Sequence, residues 1–266
     1  MRPLAAMPTS EAASVTALLF DLDDTVLTHG VLTRAAYDAV CDLAASGLDL
    51  VAVTGRPAGW GEVLARQWPL LGVVAENGAV SLVRAGAGVE ASLRGSETTR
   101  ELDRARRNAI VAAVQAELPA LNLADDNRAR LTDVTLDVGE RVKIPTEQVA
   151  RARAIIASAG ARSILSSVHL HITFEGDDKA SGALRFLREQ RGLDSGVARV
   201  RAAFVGDSEN DSACFAAFRT TFGVANIASW VPRLSLPPRY VTPSPMGAGF
   251  AELATALIHA KKGHSA

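Results

Sequence analysis

The sequence predicts an α/β fold, a doubly wound parallel sheet interrupted by an α+β insertion, on two observations. First, three short apolar runs end abruptly in polar clusters. Ala17 to Phe20 runs into Asp21-Leu22-Asp23-Asp24-Thr25, Leu48 to Val53 into Thr54-Gly55-Arg56-Pro57, and Arg201 to Val205 into Gly206-Asp207-Ser208-Glu209-Asn210-Asp211. Continuous apolar runs bounded by turn residues are the pattern of parallel strands buried on both faces. Second, the texture changes in the middle of the chain, where strand-like runs neighbour one another instead of alternating with helices. The first pattern implies a Rossmann-like core, the second an inserted α+β unit.

Taken in order, residues 1–15 carry Pro3, Pro8, Ser10 and Glu11 and no continuous apolar stretch, which excludes a signal peptide and predicts a disordered leader. Arg34 to Ser46 is apolar at Ala35, Ala39, Val40 and Leu43, with Thr33 as N-cap and Gly47 as the residue past the end, so it predicts a helix between the first two strands. Ala79 to Val83 and Val89 to Leu93 flank Ala85-Gly86-Ala87-Gly88 and predict a hairpin. A charged helix from Thr99 to Glu117, a strand from Arg130 to Val138, a helix opened by Pro145 and strands at Arg162–Ser166 and Val168–Phe174 follow. The alternating pattern resumes at Lys179. The expected division is a core of residues 16–82 and 176–266 with a cap of residues 83–175.

Composition narrows the function. The chain has 266 residues, 48% hydrophobic and 21% charged, with net charge −1. That balance argues against disorder, a nucleic-acid surface and a polybasic membrane surface. No apolar run reaches the ~20 residues of a membrane span, so a cytoplasmic protein without nucleic-acid or membrane partners is expected. Cys41 and Cys214 stand far apart and form no metal-binding spacing, which excludes a disulfide framework; Cys214 is expected as a small buried apolar residue. The sequence leaves monomer and homodimer both open.

In open parallel sheets ligands bind beyond the carboxyl ends of the strands, so the clusters at Asp21, Thr54 and Asp207 are expected to converge. Asp-x-Asp-Asp-Thr alone could be a solvated turn or helix cap. Together, Asp21, Asp23, Asp207 and Asp211 would repel one another unless a hard cation with oxygen ligands, Mg²⁺, neutralised them. An EF-hand loop is excluded, because counting from Asp21 puts Val26 and Leu32 where glycine and glutamate are needed. Lys179 is one of four lysines and opens the helix after the insertion. Its ammonium and the helix N-terminus could neutralise a carboxylate and a phosphoryl oxygen, although alone it would read as a solvent-facing residue.

In order and spacing these segments resemble the haloacid dehalogenase superfamily. The matching residues are Phe20-Asp21-Leu22-Asp23-Asp24-Thr25, Thr54-Gly55-Arg56, Lys179 and Gly206-Asp207-Ser208-Glu209-Asn210-Asp211. Glu76-Asn77-Gly78-Ala79, with Lys179 followed by Ala180 and Leu184, is similar to the subclass with a B-type cap between the second and third motifs, the sucrose-phosphatase, mannosyl-3-phosphoglycerate phosphatase and Cof-like group. The resemblance implies a Mg²⁺-dependent phosphatase with Asp21 as nucleophile, Asp23 as acid and base, and Thr54 and Lys179 in the catalytic set. It implies metal ligation by Asp21, Asp207, Asp211 and the Asp23 carbonyl, with Asp211 alternatively supporting Lys179. Gly55, Arg56, Asn77 and Asn210 would bind substrate, a phosphorylated sugar or sugar acid.

Two other readings share these residues: a phosphomannomutase-like sugar-phosphate mutase, and a phosphorylation-dependent regulatory module. In the insertion, His169 and His171 lie on one strand face and either contact substrate or are hydrogen-bonded within the cap. Arg128, Arg130, Arg141 and Lys143 read as an anion site or as a solvated face.

Overall fold

The computed structural model describes residues 1–166 and 168–264; the last two residues of the expected core, 265 and 266, lie outside them. The chain opens with β1 (Arg2–Pro3), a 3-10 turn and α1 (Thr9–Ser14) before β2 (Ala17–Phe20). Residues 1–15 therefore correct the expectation of a disordered leader. Leu4, Ala12 and Val15 are buried, and Glu11 accepts hydrogen bonds from Thr220, Arg239 and Tyr240. The apolar anchors are too widely spaced to form the continuous run that sequence reading relies on.

After β2 come α2 (Arg34–Ala45), β3 (Asp49–Val53), α3 (Ala58–Gln67), β4 (Gly72–Ala75), β5 (Val80–Ala85) and β6 (Gly88–Leu93). Thr33 caps α2 by accepting from Ala36 N at 3.3 Å. A second unit follows: α4 (Glu97–Glu117), β7 (Asp133–Asp137), α5 (Thr146–Ser158), β8 (Arg162–Leu165) and β9 (His169–Thr173). The chain then returns through α6 (Lys179–Arg191), α7 (Ser195–Arg201), β10 (Ala202–Gly206), α8 (Ser212–Ala217), β11 (Thr220–Gly223), β12 (Tyr240–Val241) and α9 (Met246–His264).

Among the described residues nine strands form one sheet in the order β1-β12-β11-β10-β2-β3-β4-β5-β6, parallel except at β4-β5 and β5-β6. Alternation along β2 splits the core: Leu18 and Phe20 face the layer of α2, α3 and α9, while Leu19 faces that of α6, α7 and α8. Burying each such leucine or phenylalanine contributes roughly 1.5–3 kcal/mol. Cys214 is fully buried in the second layer, as a small apolar residue should be.

The β5-β6 hairpin, expected within the insertion from residue 83, extends the large sheet instead. Val80 and Leu82 are buried and pair with Ala75 and Val73 of β4, so sheet membership changes only after Leu93. The second unit has its own antiparallel sheet, β7-β9-β8, with a core that includes Ile110, Val114, Leu136, Ile156, Leu170 and Ile172. Its first strand begins at Asp133 rather than Arg130, because residues 130–132 are held by the large unit. Among the described residues no helix is long and apolar enough to cross a membrane.

Candidate active site

The strand order β10-β2-β3 places three carboxyl ends side by side, and Asp21, Thr54 and Asp207 each stand one residue beyond one of them. Lys179 reaches this floor from the first residue of α6. Asp178 caps that helix, accepting from Ser181 N at 2.8 Å. The helix end can approach because two glycines meet there. A Cβ on Gly78 would lie 2.1 Å from Asp178 O, and one on Gly182 would lie 2.4 Å from Gly78 Cα. The turn at Glu76–Gly78 is itself unusual, with positive φ at all three residues (50°, 55° and 106°).

So placed, Lys179 Nζ donates to Asp21 Oδ1 at 2.7 Å and to Asp211 Oδ1 at 2.8 Å, and all three side chains are buried. Asp211 Oδ2 accepts from the backbone N–H of Asp207 and Ser208 at 3.0 and 3.3 Å. Only glycine fits at 206 before this turn, since a Cβ there would lie 2.3 Å from Asp211 Oδ2. Asp207 accepts from Asn226 Nδ2 at 2.9 Å and Thr25 Oγ1 at 3.4 Å.

Oxygens of Asp21, Asp207 and Asp211 lie within 4.8 Å of one another. Burial, reinforced by Asp211 and Asp23 and opposed by Lys179, pushes the Asp21 carboxyl up to about 7. Burial, with Asp211 and Asp21, pushes Asp207 up to about 9. Lys179 is raised: burial alone would lower it, but the two carboxylates outweigh that effect. One ammonium thus faces three buried carboxylates. A set of hard oxygen donors with excess negative charge fits a divalent cation.

The Asp23 side chain takes no part in this cluster. Its carboxylate, about half exposed, accepts from Arg56 Nε at 2.9 Å and Nη2 at 2.6 Å, and the Arg56 guanidinium lies over the Trp60 ring at 4.2 Å. Thr54 Oγ1 accepts from Arg56 N at 3.0 Å.

Above the floor is a cavity of about 620 Å³. Among the sequence-predicted residues, Asp21, Asp23, Gly55, Arg56, Asp207 and Asn210 line it. Thr54, Lys179 and Asp211 are buried just behind. Asn77, expected at the substrate, is also buried behind that surface, with its Nδ2 3.4 Å from His171 Nδ1. A Cβ on Gly55 would meet its Oδ1 at 3.1 Å, so Asn77 packs under the Thr54-Gly55 loop rather than against the cavity.

The opposite wall comes from the second unit, and here the sequence reading missed most. Arg130, weighed as part of a solvated face, has a side chain only 1% exposed. It pairs with Asp126 at 2.6 Å and Asp133 at 3.1 Å and donates to Gly55 O at 3.1 Å. Its companions Arg128, Arg141 and Lys143 are exposed, as that reading held. Glu76 is the other unanticipated residue. Its buried carboxylate accepts from Ala58 N, Leu131 N, Thr132 N and Thr132 Oγ1 at 2.6–2.9 Å, joining α3 to the loop before β7. The i to i+3 spacing of Arg130 and Asp133 was the available signal for the ion pair; nothing local marks their partners across the cavity.

No family model and no curated sequence matches the chain. Solved structures do. A Thermoplasma acidophilum protein aligns with TM-score 0.70 at 18% identity, over 91% of this chain and 98% of its own. The sucrose-phosphatase of Synechocystis, solved with sucrose and phosphate, aligns with TM-score 0.62 at 16% identity, over 91% and 97%. A sugar phosphatase of haloacid dehalogenase subclass IIB aligns with TM-score 0.62 at 17% identity, over 94% and 99%. The chain therefore has the fold of the haloacid dehalogenase superfamily, in the form that carries a separate α+β cap over the carboxyl ends of the parallel sheet.

Proposed function

We propose that the protein is a Mg²⁺-dependent phosphatase that hydrolyses a phosphorylated sugar or sugar acid through an aspartyl-phosphate. The observation that carries this reading is the buried Asp21 carboxylate, held by Lys179 on the cavity floor beside Asp207 and Asp211. Asp21 attacks phosphorus, and the bond to the leaving oxygen breaks. Asp23, at the cavity surface, gives that oxygen a proton and then takes one from the water that releases phosphate. Thr54 Oγ1 already accepts from Arg56 N, so its hydroxyl hydrogen is available to a phosphoryl oxygen, together with the Gly55 N–H. Lys179 balances charge on the transferring group. Asp21, Asp207, Asp211 and the Asp23 carbonyl would hold the cation, which supplies charge neutralisation when bound. Asn210 and Arg56 would contact substrate, and Asn77 would support them from behind. The unit from α4 to β9 would act as the cap that excludes water.

The test is phosphate release with and without Mg²⁺ across phosphorylated sugars and small phosphomonoesters. Release that requires Mg²⁺ and vanishes in Asp21→Asn supports the reading. An isomerised sugar phosphate without free phosphate would indicate a mutase instead. A stable phosphoprotein without turnover would indicate a regulatory module.

A further inference from the structure

The cap wall of the cavity has a definite polarity, and it arises from one connected network. Arg130, anchored to Gly55 O of the large unit, holds Asp133 at 3.1 Å, and Asp133 Oδ2 lies 2.8 Å from His171 Nδ1. The Asp133 carboxyl lies below its usual range: burial alone would raise it, but Arg130 and His171 outweigh burial. It is therefore an acceptor, and His171 Nδ1 carries the hydrogen. A nitrogen bearing hydrogen cannot accept from Asn77 Nδ2, so that 3.4 Å approach is packing and not a second hydrogen bond. Burial also lowers the His171 imidazole, which keeps the ring neutral. His171 is 2% exposed and lines the cavity, and among the described residues its ring contacts run through Nδ1, which leaves Nε2 without a protein partner and not fully enclosed. The result is a fixed, neutral acceptor facing the space above the catalytic floor.

The charges around it point the same way. The lysine or arginine side chains lining the cavity are Arg56 and Arg130, and each is already engaged, the first by Asp23 and the second by Asp126 and Asp133. The cap-side carboxylates are paired in turn, Asp126 with Arg130, Asp125 with Arg141 and Glu140 with His169 at 2.9 Å. A carboxylate or second phosphate on the distal part of a substrate would meet acceptors and no unpaired lysine or arginine among the lining residues. Hydroxyl groups would find acceptors. A volume of about 620 Å³ falls within the ~300–1,000 Å³ of small-molecule sites.

We propose that this wall selects phosphomonoesters whose leaving group is a neutral polyol, with His171 Nε2 accepting one of its hydroxyls, and rejects those carrying a second anion. The inference rests on the phosphatase reading and narrows it, dropping sugar acids from the expected substrates. Asp133 and Arg130 act as positioning residues for the imidazole.

The experiment compares kcat/KM for matched pairs that differ by one carboxylate: glucose 6-phosphate with 6-phosphogluconate, and glycerol 3-phosphate with 3-phosphoglycerate. p-Nitrophenyl phosphate serves as an ester without hydroxyls. The neutral member should be favoured by about tenfold or more wherever either is turned over. His171→Ala should lower the ratio of the neutral polyol ester to p-nitrophenyl phosphate by about tenfold, chiefly through KM. Should His171→Ala melt early, His171→Phe, which fills the place of the ring without an acceptor nitrogen, serves in its place, and the wild-type comparison decides independently. Equal or better turnover of the carboxylate esters overturns the inference, and so does turnover confined to p-nitrophenyl phosphate. No release from any compound, p-nitrophenyl phosphate included, removes the phosphatase reading and the inference with it.

Discussion

The two walls of the cavity are built in different ways. The floor comes from residues that directly follow parallel strands, and its geometry is local: Asp21, Thr54 and Asp207 occupy the same position after β2, β3 and β10. The ceiling belongs to the second unit, which hydrogen bonds between residues far apart in sequence tie to the large unit. Arg130 reaches Gly55 across 75 residues and Glu76 reaches Thr132 across 56. On the proposed function, chemistry would sit where the strand ends converge, and substrate choice would depend on the wall that long-range contacts hold in place. Mutations in the two regions should therefore fail differently, the floor through reactivity and the ceiling through substrate choice and docking of the cap.

The largest effect is expected at Lys179. Lys179→Met leaves Asp21 and Asp211 buried against each other without their cation, which costs about 3–5 kcal/mol, and should abolish phosphate release; thermal melting and single-turnover assays check both. Glu76→Ala removes four hydrogen bonds to a buried carboxylate and should cost about 3 kcal/mol, with increased hydrogen exchange at Leu131 and Thr132. Exchange unchanged at those amides would mean that the cap does not dock through Glu76. Gly182→Ala forces a Cβ against Gly78 and should cost about 1–3 kcal/mol while reducing activity, since it displaces the helix that carries Lys179.

A smaller effect concerns pH in EDTA. Asp21 and Asp207 ionise less readily when folded, at about 7 and about 9, than at their ordinary 3.8. Their favourable contribution is full below that ordinary value and is lost as pH rises through 7 to 9. The metal-free protein should therefore melt lower at pH 9 than at pH 6.5. Asp21→Asn should narrow that difference, and Mg²⁺ should raise the melting temperature more at pH 9. The smallest effect is a control: Arg34→Ala breaks an exposed pair with Asp38 and should change stability by less than about 0.5 kcal/mol.

The same contrast explains what could be read from the sequence. The floor is readable because short apolar strands ending in Asp or Thr-Gly clusters are local signals, and Lys179 stands out by its rarity and its place at the start of the helix after the insertion. The β5-β6 hairpin was recognised as a hairpin, but pairing with β4 rather than local pattern decides which sheet it joins. The N-terminal segment was misjudged because its anchors, Leu4, Ala12 and Val15, bury against distant elements. Arg130 resembles a surface arginine in sequence because its carboxylate neighbours Asp126 and Asp133 fit an exposed pair equally well, and the contact to Gly55 that buries it forms only in the folded chain.

If Asp21 takes the phosphoryl group, it is transiently phosphorylated during turnover. The most direct test is peptide mass spectrometry of enzyme acid-quenched during turnover of its best substrate. A phosphoryl group is expected on the peptide containing Asp21 in the wild type, and none in Asp21→Asn. Sustained phosphate release with no phosphorylated Asp21, or with the label on another residue, would contradict it.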